Sequence, residues 1–205
     1  MYCTYILYLQ CTSITYVKYK FNPESYKCGL PVSLDGSSSG TQHFSAASLS
    51  KSDGKLVNLT NEEKPQDLYG VVAEWVEAKV RSMLRHNNAV DKDGKDGHII
   101  SDTTREIAKA WLTPIKIMTG DKEEVVYPGI TRALVKRNVM TYGYSSVKYG
   151  FADQLMEDTI SKIDAKVIRG ELDKNPFGET EAQQRASAAF MAHINYGAVQ
   201  RILSS

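Results

Sequence analysis

The amino-acid sequence predicts an α+β fold that is predominantly helical. Two long segments, residues 67–85 and 151–167, carry apolar residues at helical spacing. A capping box that begins at Thr180 opens a third helix, predicted to extend through Leu203. One segment, residues 26–35, alternates apolar and polar side chains as a half-buried strand does. Helices therefore make up most of the predicted structure.

The near-equal numbers of basic and acidic residues exclude a strong electrostatic field over the chain as a whole. The chain has 205 residues, with 25 Lys and Arg against 24 Asp and Glu. This balance does not point to a nucleic-acid or membrane partner, although local stripes of charge can still hold phosphates. Three cysteines, an odd number without metal-ligand spacing, argue against a disulfide framework and predict a reducing, cytoplasmic location.

The first seventeen residues carry no charge and are rich in Tyr, Ile, Leu and Thr. They lack the basic leader and small-residue cleavage site of a signal peptide, and polar residues interrupt them too early for a membrane span. We therefore predict a strand or a buried helix here, and no membrane partner.

The predicted strand ends at Asp35, where Gly36 and three serines break the alternation. A carboxylate at a strand end beside glycine can reach a metal, and Mg²⁺ prefers such oxygen ligands. The alternative is that Asp35 or a serine caps a helix starting near Gly40. A short helix over Gln42–Leu49 is expected next, with a polar turn at Lys51–Gly54.

The middle of the chain is predicted to be connecting structure. Residues 91–99 resemble a calcium loop in composition, but aligning their glycine leaves three ligand positions unfilled, so we interpret residues 87–101 as a solvated loop. Thr103 or Thr104 is expected to cap a helix through Trp111. Residues 112–129, with two prolines and a charged turn, are expected to be irregular.

A stripe of four residues recurs at intervals of four: Arg132, Lys136, Met140 and Tyr144. At 3.6 residues per turn they line one face of a helix. Two cations followed by a thioether and an aromatic ring suit the phosphates and the base of a nucleoside triphosphate. The alternative is an ordinary amphipathic helix with two solvated cations. The Tyr142–Gly143 pair predicts fraying or a bend near the helix end.

This stripe resembles the fingers-helix motif of single-subunit, bacteriophage-type RNA polymerases. The segment DGSSSGTQHFSA, residues 35–46, is similar to the first catalytic-aspartate motif of the same family, and the resemblance extends from about Phe21 to the C-terminus. It implies part of a right-hand polymerase, with partial palm strands and a helical fingers subdomain. The implied divisions are an atypical N-terminal segment (1–20), a partial palm (21–86), an insertion and connecting segment (87–130) and fingers helices (131–205).

The resemblance also implies the chemistry. Asp35 and Gly36 would hold Mg²⁺, and Asp35 and Lys136 would be catalytic, with Lys136 supplying charge and a proton to the leaving pyrophosphate. Arg132, Met140, Tyr144 and Tyr69 would bind the substrate, although Tyr69 could equally be a core tyrosine. The implied partners are a DNA template, nascent RNA, ribonucleoside triphosphates and a C-terminal palm segment. The implied location is the host cytoplasm for a phage-encoded protein.

The family's second catalytic aspartate follows a histidine, and none of the four histidines here precedes an aspartate. We therefore expect a polymerase fragment that is inactive alone. One alternative is a fragment of a related A-family DNA polymerase, but Gly40 stands where those enzymes carry a glutamate that excludes the ribose 2′-hydroxyl. The other alternative is a non-catalytic module that binds nucleotide or template.

Overall fold

The computed structural model describes residues 38–86, 88–90, 96–119 and 122–203. The predicted strand 26–35, the N-terminal segment 1–20 and the pair Asp35–Gly36 lie outside the described residues. The described part belongs to one unit that extends from Ser37 to Ser205. Divisions after residues 86 and 130 therefore stay a prediction.

The described residues form helices and two short antiparallel hairpins that do not join into one sheet. In chain order, the elements are α1 (Ser39–Ala47), α2 (Lys51–Leu56), α3 (Leu68–His86), β1 (Asn88–Val90), β2 (Asp96–Ile99), α4 (Asp102–Leu112), β3 (Ile115–Thr119), β4 (Lys122–Tyr127), α5 (Arg132–Tyr142), α6 (Lys148–Leu155), a π-helical turn (Met156–Ile160), α7 (Ser161–Ile168) and α8 (Glu181–Ile202). The predicted class, mostly helical with a minor β component, is confirmed.

Helix α8 lies at the centre of the described core. It contacts α6, α3, α5, α4 and the π-helical turn. Small residues such as Ala188, Ala192 and Ala198 are fully or almost fully buried, so neighbouring helices approach closely on several sides. The capping box predicted at its start is present: Gln183 N donates to Thr180 Oγ1, and Gln183 Oε1 accepts from Thr180 N at 3.2 Å.

An aromatic cluster joins the second hairpin to α4. Trp111 lies 4.3 Å from Phe177 and 6.0 Å from Tyr127, measured between ring centroids. The Trp111 indole donates a 3.1 Å hydrogen bond to the Ser187 carbonyl, and the Tyr127 hydroxyl donates a 2.7 Å bond to the Trp111 carbonyl. Both buried donors, the Trp111 indole N–H and the Tyr127 hydroxyl, thus have an acceptor. The indole bond fixes the end of α4 against α8.

The long helices predicted from apolar spacing are confirmed. The segment predicted over 67–85 is α3, and its Val72, Val76 and Val80 have no exposed surface. The segment predicted over 151–167 is helical throughout, but its central five residues form a π-helical turn. The residues expected to face inward along it are all buried: Phe151, Leu155, Ile160 and Ile163.

Four local predictions are wrong. Residues 51–54 belong to α2 and not to a turn, because Ser50 Oγ caps the helix by accepting from Asp53 N. Helix α4 is capped by Ser101, which accepts from Thr104 N at 3.1 Å, and not by Thr103 or Thr104. Residues expected to be irregular form the hairpins β1–β2 and β3–β4, the second because Ile115 and Ile117 are buried on one face.

None of the described helices is long and apolar enough to cross a membrane.

Candidate functional site

Helix α5 carries three of the four stripe residues. It begins at Arg132 and ends at Tyr142, so Tyr144 lies in the turn that follows, as the Tyr142–Gly143 pair predicted. Lys136 and Met140 are exposed on this helix, and the Tyr144 side chain is 67% exposed. The stripe is therefore a solvent-facing surface.

Arg132 is held in place at the start of the stripe. Its Nε donates a 2.8 Å hydrogen bond to Asp67 Oδ2, and its guanidinium carbon lies 5.0 Å from the centroid of the Tyr69 ring. Both side chains of the ion pair are about half exposed, so the pair itself contributes at most about 1 kcal/mol. Because this bond uses the Nε hydrogen, and the described residues show no bond from the terminal nitrogens of Arg132, those nitrogens can donate to an anion.

Gly70 makes room for the Asp67 carboxylate. A Cβ at position 70 would lie 2.9 Å from Asp67 Oδ2, the same oxygen that accepts from Arg132. The Asp67-Leu-Tyr-Gly70 run at the start of α3 therefore supplies both the anion and the ring that hold Arg132. The sequence pattern indicates Tyr69 as a site residue but does not indicate Asp67.

Tyr69 is a core residue and a neighbour of the stripe at once. It is 7% exposed, and its hydroxyl accepts a 2.6 Å hydrogen bond from Ser38 Oγ. The two readings of Tyr69 left open by the sequence are thus compatible, because one face of the ring packs inward while Arg132 lies over it.

The start of α1 packs on the turn after α5 through two glycines. A Cβ on Gly143 would lie 2.9 Å from the Gly40 carbonyl carbon and 3.1 Å from Thr41 N. A Cβ on Gly40 would lie 3.2 Å from Cζ of the Tyr144 ring. The absence of a side chain on Gly143 therefore permits the close approach of the two backbones, and its absence on Gly40 leaves room for the Tyr144 ring.

Serine hydroxyls flank this glycine contact. Ser39 Oγ lies 3.1 Å from the Tyr144 hydroxyl, and either atom can be the donor. Ser38 and Ser145, which border the contact on its two chain segments, have φ angles of 59° and 69°, in the left-handed region. Such a conformation is costly for a residue with a Cβ, and it persists only where the surroundings fix it. The backbone on both sides of the glycine contact is therefore fixed by its surroundings.

Lys136 is available to a ligand. Within the described part of the chain it has no hydrogen bond or ion pair, although neighbouring Arg137 binds Glu157 and Asp158 at 2.8 and 2.9 Å. The hydrogen bonds that Arg137 donates to the carboxylates of Asp158 and Glu157 raise the pKa of Arg137 above its ordinary value. The two cations thus differ: Arg137 ties α5 to the π-helical turn, whereas Lys136 points to solvent. His43, which lies in the segment similar to the aspartate motif, is exposed and has no hydrogen-bond partner among the described residues.

The opposite face of α5 is fixed by a buried amide network. Asn138 accepts a 2.8 Å hydrogen bond from Asn195 Nδ2 and donates one of 2.8 Å to Gln154 Oε1. Gln154 also bonds to Thr141, one turn further along α5. The network sets the rotation of α5 about its axis and therefore the direction in which the stripe faces.

A surface cleft of about 300 Å³ lies beside α5, lined by residues of β4, α5 and α7 that include Tyr127, Leu134 and Lys162. None of the four stripe residues lines it. The cleft lacks a convergent set of cations, so the stripe is the stronger candidate for a site that binds phosphates.

The proposed metal residues Asp35 and Gly36 lie outside the described residues. Within the described ranges, no group of three or more His, Cys, Asp or Glu side chains is placed to hold a metal ion. The roles of these residues rest on the resemblance of their motif.

Comparison with known proteins shows the family to which the chain belongs. The family model described as DNA-dependent RNA polymerase matches residues 5–205, so the chain belongs to that family, in its bacteriophage-type branch. It is 39% identical over 136 residues to T7 RNA polymerase of Escherichia phage T7, a match that covers 66% of this chain and 15% of that protein.

Two further relatives carry the same kind of name. The chain is 37% identical over 147 residues to the DNA-directed RNA polymerase of Enterobacteria phage T3, covering 66% of this chain and 15% of the relative. It is 28% identical over 140 residues to the mitochondrial DNA-directed RNA polymerase of Mus musculus, covering 68% of this chain and 9% of the relative. The chain thus spans about 15% of the length of the phage relatives that it matches.

Proposed function

We propose that this chain contributes the incoming-nucleotide surface of a DNA-dependent RNA polymerase, made of the first palm motif and the fingers helices. Arg132 and Lys136 bind the triphosphate, Met140 and Tyr144 lie against the base and sugar, and Tyr69 supports Arg132. The activity named for the relatives is proposed here for the complete enzyme, with a DNA template, nascent RNA and ribonucleoside triphosphates as its partners.

One observation carries this proposal: the segment that follows Asp35 in sequence contacts Tyr144, at one end of the stripe, and Tyr69, the ring that lies under Arg132 at the other end. Ser38 donates to Tyr69, over which Arg132 lies, and Ser39 bonds to Tyr144. An ordinary amphipathic helix with solvated cations gives no reason for two motifs so distant in sequence to meet at these residues. The meeting of the two motifs supports a shared substrate.

The metal chemistry is proposed for Asp35 and Gly36. One carboxylate together with substrate phosphates is a donor set that Mg²⁺ accepts, since this ion is usually held by one or two carboxylates and phosphate oxygens. Bound magnesium would activate the attacking hydroxyl and neutralise charge on the leaving pyrophosphate. The residues of this chain would orient the triphosphate: Arg132 and Lys136 stabilise its negative charge, and Lys136 holds a proton near the leaving group.

Gly40 favours ribonucleotides over deoxyribonucleotides. A side chain at position 40 would start 3.2 Å from the Tyr144 ring, so a glutamate there would crowd the residue that we propose to lie against the sugar. Glycine leaves that space open, which supports an RNA polymerase rather than a DNA polymerase fragment.

The test is a titration of a fluorescent ribonucleoside triphosphate against wild type and two variants at fixed salt. Lys136→Ala should weaken binding about tenfold, because a charge-assisted hydrogen bond in a partly wet site contributes about 1.5 kcal/mol. Lys162→Ala is the matched control: it removes another exposed lysine, from α7, that has no ion pair among described residues. Equal affinities for wild type and Lys136→Ala would reduce the stripe to an ordinary solvated helix face.

A further inference from the structure

The hydroxyl of Tyr144 has a protein partner although most of the side chain is exposed. Its oxygen lies 3.1 Å from Ser39 Oγ, and its ring lies against Gly40. The aromatic side chain is 67% exposed, so ring packing alone leaves it other rotamers. The hydroxyl contact therefore selects one position of the ring among those that solvent would allow.

Ser39 itself is well fixed. It is the first residue of α1, and the preceding Ser38 is held by its hydrogen bond to the buried Tyr69. The next residue, Gly40, meets the backbone of Gly143, which leaves α1 little freedom to slide along α5. The backbone that carries the Ser39 hydroxyl is thus fixed relative to the turn that carries Tyr144.

A phenol hydroxyl can donate one hydrogen bond and accept others, and so can a serine hydroxyl. One bond between Tyr144 and Ser39 therefore leaves the Tyr144 oxygen able to make a second bond to a ligand. A hydroxyl that already has one fixed partner presents its remaining donor or acceptor in a defined direction. This orientation is what discrimination between a sugar hydroxyl and a hydrogen atom requires.

We infer that Ser39 is a positioning residue for sugar selection, which acts by holding the Tyr144 hydroxyl toward the ribose 2′-hydroxyl of the incoming triphosphate. The inference rests on the proposed function, because it needs a nucleotide on the stripe. It assigns the choice of ribose to a pair of side chains, one from each motif, and not to Tyr144 alone.

The experiment measures the affinities of ATP and 2′-deoxyATP, each with Mg²⁺, for the full 205-residue chain. The ratio of the two affinities is the readout, since a general loss of structure weakens both nucleotides alike. Ser39→Ala should lower the preference for ATP about two- to tenfold, the range expected for one hydrogen bond. Ser39→Thr keeps the hydroxyl and should restore the preference.

Two further variants separate an effect through Tyr144 from any other. Tyr144→Phe should lower the preference for ATP, and the double variant with Ser39→Ala should lower it no further, because both changes remove the same interaction. Ser48→Ala removes a hydroxyl after the end of α1 whose hydrogen bond among the described residues is a local one, to the Ser45 carbonyl, and it should leave the ratio unchanged.

The outcomes distinguish this inference from the function on which it rests. A wild-type preference for ATP that falls in Tyr144→Phe but not in Ser39→Ala would overturn the role of Ser39 and leave the stripe intact. Additive effects in the double variant would also overturn it, since Ser39 would then act independently of Tyr144. Failure of the wild-type chain to bind either nucleotide would overturn the proposed function itself, and the inference with it.

Discussion

Asn195 donates a 2.8 Å hydrogen bond from Nδ2 to Oδ1 of Asn138, and both residues are almost wholly buried. The bond joins α8, the central helix, to the inner face of α5. Asn138 follows Lys136 by two residues, about 200° around the helix, so it lies on the face opposite the stripe. The contact with Asn195 therefore fixes the direction in which the stripe faces.

The first prediction concerns the stability that this contact provides. Asn195→Ala should lower the free energy of unfolding by about 1–3 kcal/mol, because it leaves the buried Asn138 carbonyl oxygen without that donor. Urea unfolding followed by circular dichroism measures the change. Arg185→Ala, which breaks only exposed ion pairs of the same helix, should cost less than about 1 kcal/mol. Similar losses in the two variants would mean that the amide contact is not formed in solution.

Local periodicity explains which elements were predictable from the sequence. Helix α3 and the helical stretch from Phe151 carry enough apolar residues at helical spacing to specify both their type and their buried face. The β3–β4 hairpin was missed although Ile115 and Ile117 alternate with exposed residues, because two flanking prolines suggested irregular connecting structure. Short strands contain too few residues for their alternation to outweigh such signals.

The site was predictable only in part, for a different reason. Arg132 and Lys136 could be found because their spacing follows the geometry of one helix. The bonds Ser38–Tyr69 and Ser39–Tyr144 join residues 31 and 105 positions apart, and no local pattern encodes such a pairing. The serine run could be recognised as a break after the predicted strand, but not as the segment that meets the stripe. Asp67 was missed because a carboxylate at a helix start is ordinarily explained by the helix dipole.

The second prediction concerns catalysis by the isolated chain. We expect the 205-residue chain not to extend an RNA primer on a DNA template. Metal binding is expected to need two aspartates, and the sequence provides a match for one of them, Asp35. Primer extension with radiolabelled ribonucleotides and Mg²⁺ measures this. Robust synthesis that Asp35→Ala abolishes would show that a second catalytic carboxylate lies elsewhere in the chain.

A polymerase fragment and a non-catalytic nucleotide-binding module differ in their genetic context. Reading the DNA downstream of the codon for Ser205 distinguishes them. A coding segment with a His-Asp pair, in frame or as a separate gene, would favour the polymerase. Adding that polypeptide to the isolated chain should then restore extension, and Asp35→Ala should abolish it.

The last prediction uses the buried Tyr127 hydroxyl. This residue is 4% exposed, and burial raises the pKa of its phenol well above the ordinary value of 10.0. In the unfolded chain the phenol ionises near pH 10, so above that pH the unfolded state binds fewer protons than the folded state. The free energy of unfolding must therefore fall as the pH rises through this range.

Replacing Tyr127 with Phe isolates this contribution. At neutral pH, Tyr127→Phe should cost about 1–2 kcal/mol, because the Trp111 carbonyl loses its 2.7 Å hydrogen bond. Between pH 9 and pH 11 the stability advantage of wild type over the variant should shrink by about 1.4 kcal/mol, the value for one proton released only on unfolding. Urea unfolding at several pH values measures both differences. Tyr149→Phe, at a residue that is 85% exposed, should follow wild type at every pH. A constant gap between wild type and Tyr127→Phe would show that Tyr127 ionises as easily in the folded chain as in the unfolded one, which its position between Trp111 and Phe177 does not allow.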